Sequence, residues 1–205
     1  MPARRPRRRL SKSARREEII DAALTVFERG GYHSTHVDDV IREAGIARGT
    51  FYLHFRSKHE VFAALVDRML AIFLAARPTE PEPDVNGPEA AEVILRASYR
   101  TVFETLREHR RLARLLFEEA VGLDKGFADA LATHYREWHG RVRGTLERFR
   151  ATGAARPDLD AELTAEMVLG LVERLARRHL FADRGIDLDR LVDAVVAFEM
   201  HGISP

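Results

Sequence analysis

Apolar residues recur along this chain three and four positions apart, and no stretch of useful length alternates apolar with polar residues. A helix brings every third and fourth residue to one face, whereas a half-buried strand needs a period of two. The spacing therefore predicts an all-α fold of about nine helices. A first helix, about 13–30, carries Ile19, Ile20, Ala23, Leu24 and Phe27 on one face and ends at Gly30 and Gly31. A second, about 37–44, turns Val37, Val40, Ile41 and Ala44 inward and is closed by Gly45. A third, about 47–54, places Phe51 four residues before Phe55. Ser57 with Glu60 three positions on forms a capping box that opens a fourth helix to about Ala76. Residues 77–88 hold four prolines and cannot be helical, and Pro88 suits the first position of the next helix. Further helices fit 88–108, 110–121, 125–150, 161–182 and 188–201, with breaks at "VGLDKG", "TGAARPDLD" and "DRGID".

Charge divides the chain. The net charge is only +1, yet residues 1–58 carry about +6 and the remainder about −5. Such asymmetry points to one part that meets a polyanion and one that does not. The basic arm, with Arg4, Arg5, Arg7, Arg8 and Arg9 kept extended by two prolines, is expected to lie in a minor groove or along phosphates. The alternative is a solubilising tail. The expected organisation is an arm at 1–12, a nucleic-acid-binding domain at 13–58 and a helical domain at 59–205. No secretory or membrane-spanning segment is apparent, which fits a cytoplasmic protein.

A short helix, a glycine turn and a second short helix form a helix-turn-helix pattern. In that arrangement the second helix enters the major groove and its first residues reach base edges. Core positions suit Val40, Ile46, Phe51 and Phe55, which leaves Arg48, Gly49, Thr50, Tyr52 and His54 facing out. Arg48 can pair with guanine, and Gly49 lets a backbone approach closely. Thr50 can reach base or phosphate; Tyr52 and His54 can donate to phosphate oxygens. Lys58 lies in the first turn of the fourth helix, where an anion is favoured. Ser34 and Thr35 can cap the second helix and touch phosphate. The pattern alone is weak, because Tyr and His on short helices also serve as half-buried packing residues.

The combination of "IIDAALTVFERGGY", "TxVDDVIREAGI", "RGTFYxHF" and "SKHEV" within residues 16–66 resembles the N-terminal domain of the TetR family of bacterial transcriptional regulators. The resemblance implies a homodimer on palindromic double-stranded DNA. It also implies C-terminal helices that pair with their copies and hold an effector. By position, it assigns DNA contacts to Thr35, Val37, Arg48, Gly49, Thr50, Tyr52, His54 and Lys58. Two residues depart from the family pattern: His36 stands where a small hydroxyl residue is usual, and Leu53 where an aromatic one is frequent.

The last two helices are more apolar than a monomer needs, and Leu163, Met167, Leu171, Leu191, Val195 and Phe198 are the expected dimer interface. Tyr99, Phe103, Phe117, Tyr135 and Trp138, with Leu106, are candidates to line a pocket for an unidentified apolar or amphipathic small molecule; the same set also reads as plain core. Glu118, Glu119 and His134 are its candidate polar groups, and Gly140 with Gly144 suggests close helix packing. Ligand binding would release a repressor from its operator. No catalytic or metal-binding residue and no cofactor is expected: there is no cysteine, no Glu-x-x-His pair and no HExxH, GxSxG or phosphate-loop pattern. The chain is therefore not expected to be an enzyme. The rival reading is an architectural DNA-binding protein with no sensor role; membrane attachment through a single basic stretch is marginal.

Overall fold

The computed structural model describes residues 11–75, 87–119, 125–181 and 185–204. The described residues are helical, with no strand. The helices are α1 (Lys12–Gly30), α2 (Val37–Ala44), α3 (Arg48–Tyr52), α4 (Lys58–Ala75), α5 (Pro88–Glu108), α6 (Arg110–Glu119), α7 (Lys125–Ala151), α8 (Ala161–Leu175) and α9 (Leu188–Ile203). Among these residues no helix is long and apolar enough to cross a membrane. The arginine-rich arm and the proline-rich connection lie outside the described residues, as do the side chains of Glu118, Glu119 and His134.

The chain divides into two compact units between Arg68 and Met69. In the first, α1 and α2 pack together. Ile19, Ile20, Ala23 and Phe27 of α1, Val40 of α2, Phe51 of α3 and Val61, Phe62 and Leu65 of α4 are buried. Phe62 meets the rings of Tyr32 and Phe27, with centroids 4.9 and 5.8 Å apart. The first turns of α4 thus belong to this unit, because its aromatic centre includes Phe62. Ser57 caps α4 by accepting from the Glu60 N–H at 3.2 Å. The Glu60 carboxylate accepts from the Arg56 N–H rather than from that of Ser57.

In the second unit α9 packs on α5 and α8 on α7. The expected single helix over 161–182 divides: α8 ends at Leu175 and a π-helical turn, Ala176–Leu180, follows. In that turn Arg177 donates to the Phe117 carbonyl near the end of α6 and to Glu173 at 3.0 Å. Among the described residues of the protomer, a Cβ at Gly140 or Gly144 would meet nothing within 4 Å, so neither glycine marks a close helix approach within it. Neighbouring polar side chains link the helices there instead, with Arg143 donating to Glu162 at 3.0 Å.

The α5–α9 seam buries Leu95, Phe103, Leu191, Val192 and Val195 around one polar pair. The Tyr99 hydroxyl donates to the Glu199 carboxylate, and both residues are buried. Burial pushes the Tyr99 hydroxyl well above its ordinary range, helped by the Glu199 charge and hydrogen bond. Burial also raises the Glu199 carboxyl, opposed by the Tyr99 hydrogen bond.

A buried phenylalanine truncated to alanine loses transfer energy and leaves a cavity, so Phe51→Ala should destabilise the first unit by about 3–5 kcal/mol in denaturant titration. Glu199 titrates above its unfolded value of 4.5, so its contribution is fully present below that pH and is lost as pH rises through the folded value. Glu199→Gln should therefore melt at a higher temperature than the wild type near neutral pH. The gap should close below about pH 4.5, as read by calorimetry.

Candidate nucleic-acid interface

Helix α2 ends with Gly45 in the left-handed region at φ 60°. The Gly45 N–H donates to the Arg42 carbonyl and the Ile46 N–H to that of Ile41, both at 3.2 Å, a closure that favours glycine. Two residues later α3 begins, and it is only five residues long. A helix this short has no stability of its own. Phe51 and Phe55 hold it, fully buried, with ring centroids 6.1 Å apart.

With Phe51 turned inward, Arg48, Gly49, Tyr52 and Leu53 are left exposed and Thr50 half-exposed. Leu53 is 76% exposed. Arg48 forms an ion pair with Asp38 of α2 at 3.2 Å, and its guanidinium lies 5.9 Å from the Tyr52 ring centre. Both partners of the pair are more than half exposed, so the link is worth at most about 1 kcal/mol and is readily exchanged for another anion. Asp38 was not singled out as a site residue in the sequence; an acid in the first turn of a helix reads as ordinary dipole compensation. At Gly49 a Cβ would meet nothing within 4 Å, so nothing among the described residues demands glycine there. Glycine costs a helix about 1 kcal/mol relative to alanine.

His54 is half-buried. Burial lowers its pKa first, and the charges of Lys12, Arg15 and Arg16 on the opening turns of α1 add to the effect. Its imidazole is thus mainly neutral near neutral pH, and the first turns of α1 bring positive potential to this side of α3. Arg16 also lies over the Phe55 ring, 4.8 Å from its centre.

The turn before α2 differs from the sequence expectation. The Ser34 hydroxyl donates to the Gly30 carbonyl and the Thr35 hydroxyl to that of Gly31, at 2.7 Å for the latter. Both satisfy the end of α1 instead of capping α2, because carbonyls at a helix end lack partners. Thr35 is buried, and Val37 half-buried. His36 takes the N-cap position; its backbone N–H donates to Asp39 at 2.9 Å. That hydrogen bond is the main reason the Asp39 carboxyl lies below its ordinary value, with burial opposing and Arg42 assisting. Lys58 points its ammonium into the same turn. It donates to the carbonyls of Tyr32, Thr35 and His33 at 2.6, 2.8 and 3.3 Å.

The candidate effector residues make several separate ring contacts. Tyr99 and Phe103 stack, with centroids 5.9 Å apart, and belong to the α5–α9 seam. Phe117 pairs with Phe181 at 5.6 Å, under the Arg177 guanidinium. Tyr135 is 43% exposed and stacks on His139, and Arg141 lies over Trp138. The expected dimer residues also separate. Leu191 and Val195 are buried within the protomer, and Leu171 is half-buried. Leu163, Met167 and Phe198 are 57, 68 and 72% exposed.

Residues 19–65, which span most of this first unit, match the family described as bacterial regulatory proteins, tetR family. The chain is 31% identical over 157 residues to the HTH-type transcriptional repressor KstR2 of Rhodococcus jostii, covering 74% of this chain and 73% of that protein. It is 24% identical over 186 residues to the fatty acid metabolism regulator protein of Bacillus subtilis, covering 91% and 94%. The crystal structure of the transcriptional regulator FadR from Bacillus subtilis, in complex with stearoyl-CoA, superposes with a TM-score of 0.75 at 23% identity, over 91% of this chain and 98% of the other. These relatives are transcriptional regulators and not enzymes. The helix-turn-helix geometry and these matches lead to one assignment: the chain belongs to the TetR family of DNA-binding bacterial transcriptional regulators.

Proposed function

We propose that this protein is a homodimeric repressor that binds a palindromic operator and is released by a small apolar or amphipathic effector. The outward face of α3 carries the reading: Arg48, Gly49 and Tyr52 are exposed on a helix whose only buried residue is Phe51. A glycine that its described neighbours do not require, beside an arginine paired with an exposed carboxylate, is what close approach to a duplex favours. Arg48 would read a base edge, with Thr50, Tyr52 and His54 along the phosphates.

Two recognition helices must lie about 34–36 Å apart to meet half-sites one helical turn apart, which is the physical need for a dimer. Leu163 and Met167 of α8 and Phe198 of α9 supply exposed apolar surface for it. The pocket reading draws support from the stearoyl-CoA held by the structural neighbour, an amphipathic molecule of the proposed kind. Coupling of about 1–3 kcal/mol between effector and operator would lower DNA affinity about 5–150-fold.

The test is to select binding sites from random duplexes, then measure anisotropy on the selected and a scrambled DNA at two salt concentrations. A two-fold symmetric site bound well above the scrambled duplex is expected. Equal, salt-sensitive binding to both would make the protein an architectural binder. Arg48→Ala should relax preference at one base position in each half-site, by about 1–3 kcal/mol. Met167→Glu with Phe198→Glu should convert the dimer to a monomer in sedimentation and remove two-fold operator binding. A variant that stays dimeric would exclude this face as the interface.

A further inference from the structure

We propose that Asp38 is a positioning residue for sequence readout: it holds Arg48 by one side of the guanidinium, so that the opposite edge is presented to a guanine and kept off the phosphates. This rests on the DNA-binding reading above and names the base that Arg48 takes. A carboxylate beside the residues that meet a polyanion weakens binding by its charge alone. Asp38 stands there all the same, in the first turn of α2 with its side chain 58% exposed. The helix dipole does not require it, since Asp39 supplies a second carboxylate to that turn. The pair with Arg48 is one-sided. Arg48 Nη1 lies 3.2 Å from Asp38 Oδ1 and 3.4 Å from Oδ2. Among the described residues Nε and Nη2 of Arg48 make no hydrogen bond. Those two nitrogens form the edge away from Nη1, and their parallel N–H groups match O6 and N7 of guanine. The Tyr52 ring, one turn on, has its centre 5.9 Å from the guanidinium and limits its swing.

The two partners open to that edge differ in charge. A guanine edge is neutral and leaves the Asp38 pair in place. A phosphate is an anion, so it competes with Asp38 for the guanidinium and is repelled by the carboxylate. Both side chains of the pair are more than half exposed, so the pair adds little stability. What it adds is a direction for Arg48 and a cost against the wrong partner, which raises specificity without raising affinity. Helix α2 thereby takes part in readout through a side chain that touches no base.

The test measures binding of the wild type, Asp38→Asn, Arg48→Ala and the double variant across a range of salt. The DNAs are the selected operator, operators changed at each base pair of the half-site, and a scrambled duplex. Helical spectra and melting temperatures are compared first; if Asp38→Asn does not fold, Asp38→Ser, which keeps an oxygen in the first turn of α2, takes its place. Asp38→Asn should bind scrambled DNA more tightly than the wild type. Its slope of log affinity against log salt on that DNA should steepen by about 0.9 for each phosphate that the released Arg48 takes up. Its preference for guanine at the Arg48 position should fall about two- to fivefold, with other positions unchanged. In the Arg48→Ala background, Asp38→Asn should leave every base preference as it was. Equal tightening on operator and scrambled DNA, with all base preferences intact, would overturn the proposal and make Asp38 only a repelling charge. A preference lost at a different base pair, and lost in the Arg48→Ala background too, would also overturn it, because Asp38 would then accept from cytosine itself. One arm needs no variant: 7-deazaguanine lacks the N7 acceptor, so placing it at the Arg48 position should weaken wild-type binding, and undiminished binding there would overturn the proposal. A wild type that binds no DNA selectively would instead refute the underlying function.

Discussion

Helix α3 is too short to exist without the rest of its unit. Its conformation depends on two phenylalanines, Phe51 and Phe55, being taken out of water, with Arg16 of α1 laid over the Phe55 ring. Once Phe51 points inward, its neighbours have no choice of direction. Residues 48, 49 and 52 must face away, and their exposure follows from helix geometry rather than from any preference of their own. The interface is thus a by-product of the core, and its precision is that of the aromatic cluster beneath it.

The second demand is that the sharp entry to α2 satisfy its backbone. Two hydroxyls and one ammonium do so, with Ser34 and Thr35 closing the end of α1 and Lys58 filling the turn. Buried or half-buried carbonyls left without partners would each cost about 1–3 kcal/mol. This polar packing and the aromatic packing act on the same segment from opposite sides, since Tyr32 contributes its ring to one and its carbonyl to the other.

The second unit solves a different problem. Its α5–α9 seam is apolar but encloses the Tyr99–Glu199 pair, and on its exposed flank Arg96 and Arg100 reach Asp193 and Asp189. Helix α9 therefore has one face committed to its own protomer. Phe198 lies on the other, which turns toward solvent as Leu163 and Met167 of α8 do. The proposed homodimer would need such a division, because one set of side chains cannot serve both the fold and a partner. At the π-helical turn after α8, pinned to α6 by Arg177, the helical ladder of this unit changes register.

The sequence by itself determined the helical class, nearly every helix boundary and the outward face of α3, because these depend on local periodicity, capping and glycine. The family was legible for the same reason: its motifs lie within 47 contiguous residues. What only the tertiary structure decided is how individual polar and apolar side chains are used. Lys58 donates to the carbonyl of Tyr32, 26 residues earlier, a contact that its place in a capping box does not announce. Leu191 and Val195 read like Phe198 until α5 is packed on α9 and covers two of the three. The Tyr99 hydroxyl finds its acceptor in Glu199, 100 positions away. Periodicity reports that a residue lies on a face, but the partner of that face is set by contacts distant in sequence, and no local rule carries them.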